Sequence, residues 1–91
     1  MLLTASEIEE SLKTLPPWKL EGQAIAATFA FRSFSEAIAF VNRVATLAEE
    51  ANHHPDIDIR WNKVHLTLST HSAGGLTALD FQLAGQLSSG S

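Results

Sequence analysis

All four histidines of this chain fall between Ala51 and Gly75, in the stretch ANHHPDIDIRWNKVHLTLSTHSAGG. An imidazole with its ordinary pKa of about 6.5 both gives and takes a proton near neutral pH, so a group of them suits acid–base chemistry. His53 and His54 are adjacent and precede Pro55, which pushes the residue before it toward extended geometry. His53 is therefore expected at the end of a helix and His54 just outside it. His71 is expected at the end of a strand beside a glycine loop, and a small sheet can bring such ends together into one cleft for proton transfer. Glu49 precedes His53 by one helical turn, the spacing at which it could orient that imidazole. His65 lies six residues before His71, about 20 Å along a straight strand. It is expected to be structural or simply exposed.

Other chemistries fit less well. Three histidines and a carboxylate are adequate ligands for zinc, but an adjacent His-His pair is an awkward one, and no His-Glu-x-x-His motif is present. The absence of cysteine removes disulfides, thiolate ligands and thiol nucleophiles. Ser69 and Ser72 lack the glycine-flanked elbow of a serine hydrolase, and Gly74-Gly75 is too short for a phosphate loop. A metal site is not expected.

The 91 residues are read as a single domain, 1–91, with 45% hydrophobic residues, six basic and ten acidic side chains. The basic residues are scattered and the net charge is -4, which argues against direct nucleic-acid binding. No apolar run approaches the roughly 20 residues that span a bilayer, and the first residues carry no targeting pattern. A cytoplasmic protein with no membrane association is expected. A chain of this length buries only about two thirds of its unfolded surface, so an oligomer is plausible.

The elements that must position the histidines follow from pattern. Thr4 and Glu7 have the form of a capping box opening a helix to about Leu12, ended by Pro16-Pro17. Trp18–Glu21 and Ile25–Phe31 read as a hairpin about Gly22-Gln23. Ser33 and Glu36 form a second capping box, and Phe34, Ala37, Ile38, Val41 and Val44 recur at helical spacing through Ala51 or Asn52. A strand with Ile57, Ile59 and Trp61 on one face, a turn at Asn62-Lys63, and a strand from Val64 that ends at His71 make a second hairpin. Ser72–Gly75 is a loop. Thr77 and Asp80 cap a last helix carrying Phe81, Ala84 and Leu87, and the small polar tail from Ser88 to Ser91 is expected to fray. The order α-β-β-α-β-β-α predicts an α+β two-layer sandwich, a four-stranded antiparallel sheet covered on one face by helices.

The run NHHPD at 52–56, WNKVHLTLSTH at 61–71 and LTALD at 76–80 closely resembles the pterin-4a-carbinolamine dehydratase family, known also as the dimerization cofactor of a homeodomain transcription factor. The likeness extends over essentially the whole chain, including Trp18 and FVNRVATLAEEANHHP. It implies a hydro-lyase that removes water from 4a-hydroxytetrahydropterin, the product of aromatic amino acid hydroxylases, to give quinonoid dihydropterin. By position, His53 and His71 correspond to the family's general acid and base, and His54 to a histidine that binds and orients the pterin. Glu49, Pro55, Trp61 and Asp80 correspond to other pocket residues. The resemblance also implies a homodimer or homotetramer, with sheets joined across edge strands and, in tetramers, long helices packed together.

Two positions depart from the pattern. Asn52 stands where some members carry aspartate, and Leu79 where some carry arginine, so substrate affinity or subunit contacts are expected to differ. Two other functions stay open. One is a protein-binding scaffold that stabilises a transcription-factor dimer, and the other is an enzyme acting on a different pterin.

Overall fold

Thr4 accepts the Glu7 amide, and the Glu7 carboxylate accepts the Thr4 amide, so the predicted capping box starts α1 (Ala5–Leu12). After Pro16-Pro17 the chain enters β1 (Lys19–Glu21), turns at Gly22, where φ is +64°, and returns as β2 (Ala24–Ala30). Glycine takes that left-handed turn position without steric cost. The long helix α2 (Phe34–Ala51) follows, then β3 (Asp56–Arg60), β4 (Lys63–Leu68), a 3₁₀ turn at His71–Ala73 and α3 (Ala78–Ser89). The computed structural model describes residues 1–89 of the chain.

The four strands form one antiparallel sheet in the order β1-β2-β4-β3, an α+β fold as the sequence predicts. Alternation sends Ile25 and Ala27 of β2 and Val64, Leu66 and Leu68 of β4 to one face. There they meet Ala37, Phe40, Val44 and Ala48, the stripe of α2 that recurs every three or four residues. Leu83, Ala84 and Leu87 of α3 complete the layer, and the Trp18 indole N–H donates to the Ser88 hydroxyl at 2.8 Å, tying the start of β1 to this helix. The opposite sheet face carries Thr28, Asp58 and His65 in register across β2, β3 and β4.

Several boundaries differ from the sequence reading for local reasons. Trp18 precedes β1 as a buried anchor, and β2 stops at Ala30. Ser33 caps α2 by accepting the Glu36 amide, but the Glu36 carboxylate reaches one residue further back, to the Arg32 amide. The second capping box is thus only half formed. β3 ends at Arg60, paired with Lys63, so the turn is Trp61–Asn62 rather than Asn62-Lys63. Asn62 fixes that turn: its side-chain amide donates to the Phe31 carbonyl at 2.8 Å and its carbonyl accepts the Phe31 amide at 2.9 Å. β4 stops at Leu68, so His71 lies in the 3₁₀ turn and not on the strand. Ser88 and Ser89 are helical, and the rest of the tail expected to fray, residues 90–91, lies outside the described residues.

Leu66 is fully buried in the middle of β4, on the sheet face that the helices cover. Leu66→Ala is expected to lower stability by about 2–5 kcal/mol, the cost of a buried leucine truncation. Urea unfolding checks this, and a loss well under 1 kcal/mol would place the core elsewhere.

Candidate active site

Three chain segments converge beside the end of the central strand β4. The first is the exit of α2. Asn52 takes the left-handed conformation (φ 50°, ψ 43°), its amide donates to Glu49 O at 3.2 Å, and the His53 amide donates to Ala48 O at 3.1 Å. Asparagine is the residue other than glycine that most readily closes a helix this way. The chain therefore leaves the helix axis at His53.

The second segment follows β4. Thr70 pairs with Gly75 as an isolated bridge, its amide donating to Gly75 O at 2.8 Å, and this closes the turn that holds His71. Gly74, at φ +78°, completes the turn with its amide on His71 O, a backbone that disfavours any side chain. The third segment is the first turn of α3, where the Thr77 amide donates to Asp80 Oδ2 at 2.9 Å.

Asp80 joins all three. Its carboxylate is wholly buried and accepts the Thr77 amide and the Thr70 hydroxyl (2.8 Å) on Oδ2 and the His53 Nε2–H (2.6 Å) on Oδ1. The cap role expected of Asp80 is present, and the same carboxylate also orients His53. An isolated buried carboxylate is strongly disfavoured, and three donors with a basic partner offset that cost.

Glu49 does not face His53. Helical spacing predicts that pair, but the helix ends at Ala51 and the left-handed Asn52 turns His53 away, so the Glu49 carboxylate instead accepts His54 Nε2–H. That pair is exposed, with 56% and 76% of the two side chains accessible. The adjacent histidines thus occupy opposite environments, since the His53 side chain is only 10% accessible.

A cavity of about 300 Å³ is lined by His53, His54 and His71 together with Asn52, Thr70 and Leu79. The histidines chosen from sequence are therefore brought together, and Asn52 and Leu79, the two positions singled out in the sequence, stand at the same cavity. Pro55 follows His54 and is half-buried. Trp61 is placed at the opposite end of β3, about 16 Å along the strand by its rise per residue, 70% exposed and outside this lining. His65 is remote, on the helix-free sheet face, where its Nδ1 shares a 2.8 Å hydrogen bond with the Thr28 hydroxyl. Among the described residues no three His, Asp or Glu side chains are grouped to hold a metal ion, and no helix is long and apolar enough to cross a membrane.

Thr70 is the site residue that the sequence reading missed. A signal for it exists: Val64, Leu66 and Leu68 face the core, and the same parity continues to position 70, where a polar residue stands and is buried. A polar side chain at a core position needs a partner.

The chain matches the family described as pterin 4 alpha carbinolamine dehydratase over residues 1–89. It belongs to that family. A relative in Roseiflexus castenholzii, named "Putative pterin-4-alpha-carbinolamine dehydratase", is 60% identical over 86 residues, covering 94% of this chain and 92% of the relative. One of the same name in Thermomicrobium roseum is 54% identical over 85 residues, covering 93% and 91%. Among solved structures, the transcriptional coactivator/pterin dehydratase of Brucella melitensis has a TM-score of 0.91 at 39% identity, covering 96% of this chain and 95% of that one. A pterin dehydratase-like protein described as a RuBisCO assembly factor in the alpha-carboxysome has a TM-score of 0.66 at 27% identity, covering 77% and 83%.

The contrast between the two carboxylates is measurable. Asp80→Ala, which strands three buried donors, is expected to cost about 3–5 kcal/mol, whereas Glu49→Ala at the exposed pair is expected to cost less than about 1 kcal/mol. Denaturant unfolding of both variants in parallel checks this, and equal losses would contradict the assignment of Asp80 as the buried anchor.

Proposed function

We propose that this protein is a hydro-lyase that dehydrates 4a-hydroxytetrahydropterin, with 4a-hydroxytetrahydrobiopterin as its substrate, to the quinonoid dihydropterin. The product would then return to aromatic amino acid hydroxylases after reduction. The observation that carries this reading is the meeting of His53, His54 and His71 at one cavity in a chain of this family.

Hydroxide leaves poorly, so the oxygen on C4a takes a proton as the C4a–O bond breaks. The adjacent ring nitrogen supplies the electron pair for the new C=N bond, and the ring gives up one proton, so the products are the quinonoid pterin and water. His53 and His71 are the acid–base pair in this reading. The His53 imidazole commits Nε2–H to Asp80 and keeps Nδ1 for the substrate, while His71 is exposed on the 3₁₀ turn and free to exchange protons with water. His54, held by Glu49 at the rim, orients the ring, with Pro55 beside it. The reaction needs neither cofactor nor metal, because imidazoles supply both proton transfers.

A homo-oligomer accompanies this reading, dimer or tetramer. β3 forms one edge of the sheet, and Ile57 and Ile59 on it and Trp61 in the turn just past it are exposed. Edge-to-edge pairing would cover that strand, and would give Trp61 a subunit neighbour instead of solvent. Sedimentation showing only monomer at micromolar concentration would remove this part.

A protein-binding role is a second reading, favoured by the solved relatives described as a coactivator and as an assembly factor. It predicts partner binding that survives loss of the histidines.

Stopped-flow absorbance of freshly generated 4a-hydroxytetrahydropterin tests the enzymatic reading. His53→Ala and His71→Ala are each expected to lower turnover by about 10² to 10⁴, the usual worth of a general acid or base, and the double variant to leave the uncatalysed rate. A fully active double variant would refute the assignment.

A further inference from the structure

Asp80 Oδ2 accepts a hydroxyl that is itself engaged twice: Thr70 Oγ1 lies 2.8 Å from Asp80 Oδ2 and 2.8 Å from Thr77 Oγ1. A hydroxyl carries one hydrogen, and an ionised carboxylate only accepts. Thr70 must therefore give its hydrogen to Asp80, and the Thr77 hydroxyl must be the donor to Thr70. Thr77 Oγ1 in turn accepts the Leu79 amide at 3.3 Å. The hydrogen bonds run in one direction, from the first turn of α3 through two buried threonines into the carboxylate. Each donor in such a chain is strengthened by the one behind it.

The other oxygen of Asp80 faces His53. With Oδ2 held by Thr70 and by the Thr77 amide, the carboxylate cannot rotate, and Oδ1 meets His53 Nε2 at 2.6 Å. A neutral imidazole there must carry its proton on Nε2. Every buried side-chain nitrogen and oxygen among the described residues has a partner, and no hydrogen bond engages His53 Nδ1, so Nδ1 is the accessible nitrogen of a residue that lines the cavity.

We propose that Thr70 is a positioning residue for the dehydration: its hydroxyl, committed to the donor role by Thr77, locks Asp80 so that His53 keeps the Nε2–H tautomer and presents Nδ1 as the proton acceptor. This rests on the dehydratase reading above, and it assigns His53 the base's role at the start of the step, with His71 left as the acid. Thr70 does not touch the substrate's reacting atoms through this hydroxyl; it acts through Asp80. Serine can make the same bonds, and valine, of the same shape, can make none.

The test compares the unmodified full chain with Thr70→Val and Thr70→Ser. Long-range ¹H–¹⁵N spectra of histidine-labelled protein at neutral pH report the His53 tautomer, and stopped-flow turnover reports kcat and KM separately. The unmodified chain is expected to show Nε2–H at His53. Thr70→Val is expected to mix the tautomers and lower kcat by about tenfold to a hundredfold, the scale of a small misplacement of a catalytic group, with KM changed less than about twofold. Thr70→Ser is expected to restore both. A valine variant with the normal tautomer and normal kcat, or a serine variant no better than valine, overturns the proposal. Should the valine variant fail to fold, an Nδ1–H tautomer in the unmodified chain overturns it alone. A folded unmodified chain that does not accelerate pterin dehydration refutes the enzymatic reading instead, while its tautomer still decides whether Thr70 sets the orientation of His53.

Discussion

The burial of one carboxylate organises this molecule's working end. Asp80 has no access to water, and a charge in that position is tolerated only when its lone pairs meet donors. The donors come from three places in the chain: His53, two residues past α2, Thr70, just before the 3₁₀ turn, and the Thr77 amide, just ahead of α3. Satisfying the carboxylate therefore requires those three segments to meet, and their meeting is what makes the cavity. His71 gains its place in the same way, since the bridge that fixes Thr70 closes the turn in which His71 sits. The rest of the fold supplies rigidity. β4 is central in the sheet and flanked on both sides, and its buried face is pinned against α2 and α3. A side chain held by such elements is positioned more exactly than one on a free loop.

Adjacent residues reach different environments because the backbone changes hand between helix and strand. Asn52 in the left-handed region sends His53 inward to a buried acid, while His54 meets an exposed one. An imidazole against a buried carboxylate is fixed in tautomer and direction. One against a solvated carboxylate at the rim remains adjustable, which suits the ring-orienting role proposed for His54. The pair is thus a division of labour produced by one turn, and the sequence HH alone does not show which is which.

Much of the fold was legible because it rests on local rules. Capping at Thr4, the stripe on α2 and the alternation in β2 and β4 gave the order of elements, since each depends on residues within a few positions of one another. The differences arise where a local rule stops applying. Glu49 and His53 have helical spacing, but spacing pairs side chains only while the helix continues, and it ends at Ala51. Trp61 continues the alternation of Ile57 and Ile59, yet pairing of Arg60 with Lys63 makes it part of the turn, away from the cavity. The histidine cluster was readable as residue type and spacing. The Asp80 to His53 contact and the role of Thr70 were not, because they span 27 and 10 residues and depend on how α3 docks. Only the polar residue at a core parity position marked Thr70 in advance.

The energetics of the site bear on why it takes this form. A buried carboxylate with its hydrogen-bonding partners is often no more stabilising than apolar residues of the same volume, and frequently less. The left-handed Asn52 adds a further local cost, since side chains disfavour that backbone. A chain required only to fold, or to offer its exposed strand edge and helix surface to a partner, would hold together as well with leucine and valine around position 80. Stability alone therefore does not account for a buried acid, two hydroxyls directed into it and an imidazole ending at a cavity. The proton-transfer role proposed for the site would account for the arrangement, since it needs one ring nitrogen proton-bearing and the other open, beside a second histidine. Partner binding through other faces is compatible with that requirement, but does not produce it.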